Sequence, residues 1–153
     1  KQGRVAGENA LGGSARFAGS LGTQVVTAFD LVAARTGLRD HEAVAAAHEW
    51  APVTTTATPD DHKAYYPGAT PIHIRITGDE HTGRLLGAQL VGHRSAEVSK
   101  RVDIFAAALF HEMSVEGFSE LDLSYTPPLG SPWDATQMAT QTWARHLRAK
   151  AFS

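Results

Sequence analysis

The chain has 153 residues, 42% of them hydrophobic, which is enough for one compact domain with a buried core. Charged residues make up 20% and the formal net charge is −2, without the basic stripe that nucleic acid would require and without an acidic tail. Apolar runs fall short of the ~20 residues of a bilayer span, nothing at the start reads as a signal peptide, and there is no cysteine. The expectation is a soluble, cytoplasmic protein with no membrane or nucleic-acid partner, no disulfide and no cysteine nucleophile.

Residues 3–12 read as the end of a helix, with Val5, Ala6, Asn9 and Ala10 at helical spacing and Gly12-Gly13 as its stop. After a loop at 19–22, residues 24–32 are rich in Val, Thr and Phe and predict one strand, followed by a turn at Thr36-Gly37. Asp40 is placed to cap a short helix over 41–50, with Val44 and Ala47 facing inward. A β-branched run at 53–58, closed by Pro59, predicts a second strand. Residues 60–69, with two aspartates, two tyrosines and Pro67-Gly68, predict an irregular excursion.

Ile72, Ile74 and Ile76 alternate with His73 and Arg75, the pattern of a half-buried strand. A polar loop at 78–83 leads to another strand at 85–92, making a hairpin. Residues 96–113 form the clearest helix, with Val98, Val102, Phe105, Ala106, Leu109 and Met113 on one stripe. Gly117 predicts a break, and 118–125 reads as extended, in the manner of a short edge strand. Pro127-Pro128, Gly130 and Pro132 stiffen a loop, and Asp134 opens a last amphipathic helix reaching residue 150. Hairpin-linked strands beside helices predict an α+β fold, a mostly antiparallel sheet of four to five strands packed with helices.

Few motifs carry chemistry. His41-Glu42, His48-Glu49 and His111-Glu112 start like the zinc-protease helix motif but lack a histidine four positions on. His41 and His48 can share a helix face, yet two ligands fall short of the three or four that zinc needs, so no metal site is expected. No Gly-x-Ser-x-Gly occurs, and Gly12-Gly13-Ser14 follows a helix where a phosphate cradle would precede one. Two tyrosine segments stand out: Ala64-Tyr65-Tyr66-Pro67-Gly68 and Ser124-Tyr125-Thr126-Pro127-Pro128. A tyrosine on a stiff loop can offer its hydroxyl to a reacting group. The plainer alternative buries the ring and leaves the hydroxyl wet at an edge or interface.

Eight segments together, in order, resemble the C-terminal third of pyridine nucleotide-disulfide oxidoreductases. They are Gly3-Arg4-Val5-Ala6-Gly7-Glu8-Asn9-Ala10, Leu21-Gly22-Thr23, Phe29-Asp30-Leu31, Ala34-Arg35-Thr36-Gly37-Leu38 and Tyr65-Tyr66-Pro67-Gly68-Ala69. Gly83-Arg84-Leu85-Leu86-Gly87-Ala88-Gln89, Lys100-Arg101-Val102-Asp103 and residues 121–128 complete the series. The resemblance spans essentially the whole chain. It implies the fold of the dimerisation domain of FAD/NAD-linked reductases over residues 19–153, with residues 1–18 as the terminal helix and linker of a preceding FAD domain. It further implies a homodimer, and FAD and NAD(P)H held by flavin and nicotinamide domains of the same parent chain, with no cofactor site in this part.

Glutathione reductase and its relatives carry a His-x-Pro motif near the end, where this chain reads Tyr125-Thr126-Pro127-Pro128. The loop is similar to that of the coenzyme A-disulfide reductase, NADH oxidase and NADH peroxidase branch. The implied mechanism has NAD(P)H reducing FAD, and the reduced flavin passing electrons to a single cysteine held in a mixed disulfide with coenzyme A. Tyr65 and Tyr125 would act in trans on the partner subunit's departing thiolate, with Tyr66 a substitute for Tyr65. Lys100, Arg101 and Asp103 are expected to be helix-start and interface charges. The competing expectation is a stand-alone coenzyme A- or thiol-binding module without redox activity.

Overall fold

The computed structural model describes residues 1–46 and 50–151. Ile72, Ile74 and Ile76 lie on one face of the inner strand β4 (Ile72–Asp79), and all three are fully buried. Around it run β1 (Gln24–Ala28), β2 (Leu31–Gly37), β3 (Pro52–Ala57) and β5 (Leu85–His93), in the spatial order β1-β2-β5-β4-β3. Every neighbouring pair is antiparallel. Helices α3 (Val98–Phe110) and α5 (Ala135–Ala151) cover the isoleucine face, α3 over β2 and β5, α5 over β3 and β4. The expected α+β class, with its antiparallel sheet and packed helices, is what the structure has.

The core between sheet and helices is aromatic and aliphatic. Phe105 of α3 stacks on Phe118 with ring centroids 4.5 Å apart, and both are fully buried. Trp143 of α5 donates its indole N–H to Val53 O at 2.8 Å, tying helix to edge strand. A Cβ on Gly78 would lie 2.7 Å from that indole, so a glycine admits the ring.

Residues 24–32 are two strands joined by a tight turn, not one strand. Ala28 pairs with Leu31 across Phe29-Asp30, and Phe29 turns at φ +55. No glycine marks this turn, and the β-prone residues on both sides hide it. Thr36-Gly37 ends β2 instead of forming a separate turn. Gly37 (φ +66) faces Gly87 across the β2–β5 ladder, where a Cβ on Gly87 would stand 1.9 Å from Leu38 O. The chain leaves the sheet directly over β5, and only paired glycines allow the approach.

Helix α2 (Asp40–Ala45) is shorter than expected, and Asp40 is its first helical residue, preceded by Arg39 in the cap position. Glu42 supplies the reciprocal bond, accepting the Arg39 N–H at 2.7 Å. The Arg39 side chain, then the Arg39 N–H, hold the Glu42 carboxyl down at about 2, against the opposing effect of desolvation, with Arg35 assisting. Ala43 is the buried residue and Val44 is exposed, so the inward face is one position off the expected one. Ala47 and His48 lie outside the described residues.

β4 runs through the expected polar loop as far as Asp79, which is buried. Burial alone would raise its carboxyl. The Thr82 hydroxyl and the N–H groups of Ala51, Thr82 and His81 outweigh it and hold the group below its ordinary value. One ionised side chain thus joins the β4–β5 turn to the start of β3.

The long helix predicted over 96–113 is a 3-10 turn (Arg94–Ala96), a left-handed Glu97, and then α3, which ends at Phe110. Met113 lies beyond it, receiving its place from a bond to Ala108 O at 2.9 Å. Gly117 breaks nothing: it sits inside α4 (Val115–Ser119), whose cap is the Ser114 hydroxyl accepting the Gly117 N–H at 3.0 Å. Among the described residues, 118–125 forms no strand. Asp134 caps α5 as expected, accepting the Thr136 N–H at 2.9 Å, while Gln137 returns a bond to the Asp134 N–H at 3.0 Å. No helix among the described residues is long and apolar enough to cross a membrane.

Candidate functional site

Both tyrosine segments are surface loops anchored in the core, at the end of the sheet where β4 starts and α3 and α5 begin. The β3–β4 connection is closed at its neck by Asp61. Its N–H donates to Thr70 O at 3.0 Å, and its carboxylate accepts the Thr70 N–H at 2.7 Å. Two residues outside, Ile72 N–H donates to Pro59 O at 2.8 Å. Inside the closed neck, a turn with Tyr66 N–H on Lys63 O at 2.9 Å and Gly68 at φ +87 projects the tip. Tyr65 is 73% exposed and Tyr66 36%, with ring centroids 5.1 Å apart.

The second loop turns on Thr126, whose carbonyl accepts the N–H groups of Leu129 and Gly130 at 2.9 and 3.0 Å. Tyr125 precedes this turn and is 45% exposed. Among the described residues, neither Tyr65 nor Tyr125 has its hydroxyl in a hydrogen bond to the rest of the chain. Their donors are available to something outside the domain. A phenol O–H can serve there as a hydrogen-bond donor.

Arg101 joins the two loops. The expectation of an exposed first-turn charge is corrected for this residue, which is only 6% exposed. Its Nη2 donates to Asp61 O, at the neck of the first loop, at 2.8 Å. Nη2 and Nε reach the Asp134 carboxylate, at the foot of the second, at 3.0 and 3.2 Å. Nη1 donates to Ala96 O. Lys100 and Asp103, by contrast, form an exposed pair at 3.3 Å at the start of α3. A signal for Arg101 was present: it falls on the Val98, Val102, Phe105 stripe at i+3 from Val98 and so faces the core.

Reading by motif also passes over His62. It is buried beside Asp61, Nδ1 to Oδ2 at 3.0 Å, and its Nε2 is buried with no hydrogen-bond partner among the described residues.

Residues 23–135 match the dimerisation domain of the pyridine nucleotide-disulphide oxidoreductases. The chain belongs to that family. Over 134 residues it is 37% identical to an NAD(P)H sulfur oxidoreductase (CoA-dependent) of Pyrococcus furiosus, a match covering 88% of this chain and 29% of that one. It is 31% identical over 135 residues to a coenzyme A disulfide reductase of Staphylococcus aureus, covering 88% and 28%. Among solved structures, an NAD-dependent persulfide reductase from A. fulgidus superposes with a TM-score of 0.89 at 32% identity, over 97% of this chain and 27% of that one. The chain thus spans less than a third of the length of the curated relatives it matches.

Proposed function

We propose that this dimerisation domain serves an FAD-dependent NAD(P)H reductase of coenzyme A disulfides or persulfides, and that it completes the active site of the partner subunit. The observation that carries the reading is the pair of anchored loops with Tyr65 and Tyr125 exposed and their hydroxyls unbonded among the described residues. The similarity to the two coenzyme A-linked relatives supports the substrate class. In this proposal the protein acts in the cytoplasm as a homodimer. Exposed Val26, Phe29 and Leu31 on the β1–β2 hairpin, with Val91 in line by register, leave an apolar face for a second copy or a companion domain.

FAD and NAD(P)H are assigned to other domains of the parent chain. Among the described residues, a cleft of about 1200 Å3 between Arg4 and Val5 of α1 and Phe110 of α3 stands open to solvent. α1 (Gln2–Ala10) buries no residue, which supports assigning residues 1–18 to the preceding FAD domain.

The share of this chain in the chemistry is then a proton or a hydrogen bond. Two electrons delivered to the enzyme cysteine would break its disulfide with coenzyme A, and the coenzyme A sulfur would leave as a thiolate. The Tyr65 and Tyr125 Oη–H groups meet that charge as donors, which favours its departure. The full-length enzyme should therefore reduce coenzyme A disulfide with NAD(P)H far faster than it reduces glutathione disulfide, in a steady-state assay with each. Equal rates, or glutathione disulfide preferred, would contradict the assignment.

A further inference from the structure

We infer that Arg101 is the positioning residue that fixes the two tyrosine loops relative to one another, so that Tyr65 and Tyr125 are aimed as a pair. This rests on the proposed role of those tyrosines. Burying a guanidinium is expensive, and an aliphatic side chain on the same helical stripe would pack there without that penalty. The donors of Arg101 go to three separate places: the end of the 3-10 turn at Ala96 O, the neck of the first loop at Asp61 O, and the foot of the second at Asp134.

Asp61 is the point where the clasp meets the first loop. Its carbonyl takes Arg101, its N–H and Oδ1 close the neck on Thr70, and Oδ2 holds His62. Asp134 is the corresponding point of the second loop, pairing with Arg101 while capping α5 through Thr136. A shift at either foot is therefore transmitted to the other through one planar group. Lysine cannot reproduce this, because a single ammonium lacks the rigid fork that reaches two loops at once.

The test uses the full-length holoenzyme with coenzyme A disulfide as the probe. Arg101→Lys and Asp134→Asn are each made in the wild-type background and in a Tyr65→Phe/Tyr125→Phe background. Asp134→Asn keeps an oxygen to accept the Thr136 N–H while removing the charge opposite Arg101, so it carries the comparison where the lysine variant fails to fold. The expected result is a fall in disulfide turnover of about tenfold to a hundredfold in the wild-type background, the scale of a misplaced catalytic group. Flavin reduction by NAD(P)H, followed by stopped flow, stays unchanged, and the phenylalanine background shows no further fall. Equal falls in both backgrounds would overturn the inference, since Arg101 would then act independently of the tyrosines. So would unchanged turnover in both the Arg101 and Asp134 variants while the phenylalanine variants lose activity. If the phenylalanine variants themselves lose nothing, the tyrosine role proposed above fails, and the positioning role is overturned with it.

Discussion

Full-length enzyme carrying Tyr125→Phe should lose coenzyme A disulfide turnover by about a hundredfold or more, while NAD(P)H reduces its flavin at the wild-type rate; contributions of 10²–10⁴ are usual for a positioned acid. Phenylalanine keeps the ring and removes only Oη, so the loop built on Thr126 and the two prolines has no reason to move. The exposed hydroxyl makes no internal hydrogen bond among the described residues, so its loss leaves no buried group unsatisfied. The half-reactions separate the roles: flavin reduction reports the cofactor domains, and thiolate departure reports this one. A change in KM alone would make the hydroxyl a binding group, and unchanged turnover would remove Tyr125 from the chemistry.

Arg101→Met should destabilise the folded domain by about 3–5 kcal/mol, the usual result of removing one partner from a buried ion pair. Methionine fills the volume but leaves the Asp134 carboxylate, 16% exposed at its side chain, without its cation. Asp61 O and Ala96 O lose their donor in the same step. At about 2–4 °C per kcal/mol for a domain of this size, the melting temperature should fall by roughly 6–20 °C. A calorimetric loss under about 1 kcal/mol would place the pair among those that contribute little to stability.

The parts of the fold that are legible in the sequence are those where one periodicity acts alone. The alternation through Ile72, Ile74 and Ile76 and the stripe from Val98 to Leu109 each report a single buried face, and both faces are where the pattern puts them. The cap at Asp134 is legible because its partner Gln137 stands three residues on. What escaped was set by contacts distant in the chain. The Phe29-Asp30 turn has β-prone flanks, and Gly37 and Gly87, 50 positions apart, are needed to see why β2 ends where it does. Gly117 looked like a break because the packing of Phe118 on Phe105, which holds α4 in place, is invisible locally.

The candidate site divides in the same way. Tyr65 and Tyr125 were noticed as residues, because tyrosines beside Pro-Gly or Pro-Pro read as loop tips, and the structure finds both exposed on anchored loops. Their common anchor was not noticed. A charged residue in the first turn of a helix is ordinarily solvated, and only its place on the apolar stripe distinguished Arg101 from Lys100. His62 offered no motif at all, since its burial follows from the folding back of the loop onto Asp61.

The most direct test of the account is complementation between two inactive subunits of the full-length enzyme. One carries Tyr65→Phe and Tyr125→Phe with an intact flavin domain; the other keeps both tyrosines but has its flavin-domain redox cysteine replaced by serine. In the mixed two-fold dimer, tyrosines acting in trans complete one site of the two, and coenzyme A disulfide turnover should return to about half the wild-type value. A mixed dimer as inactive as its two parents would mean that each subunit relies on its own tyrosines, and would contradict a domain that completes its partner's active site.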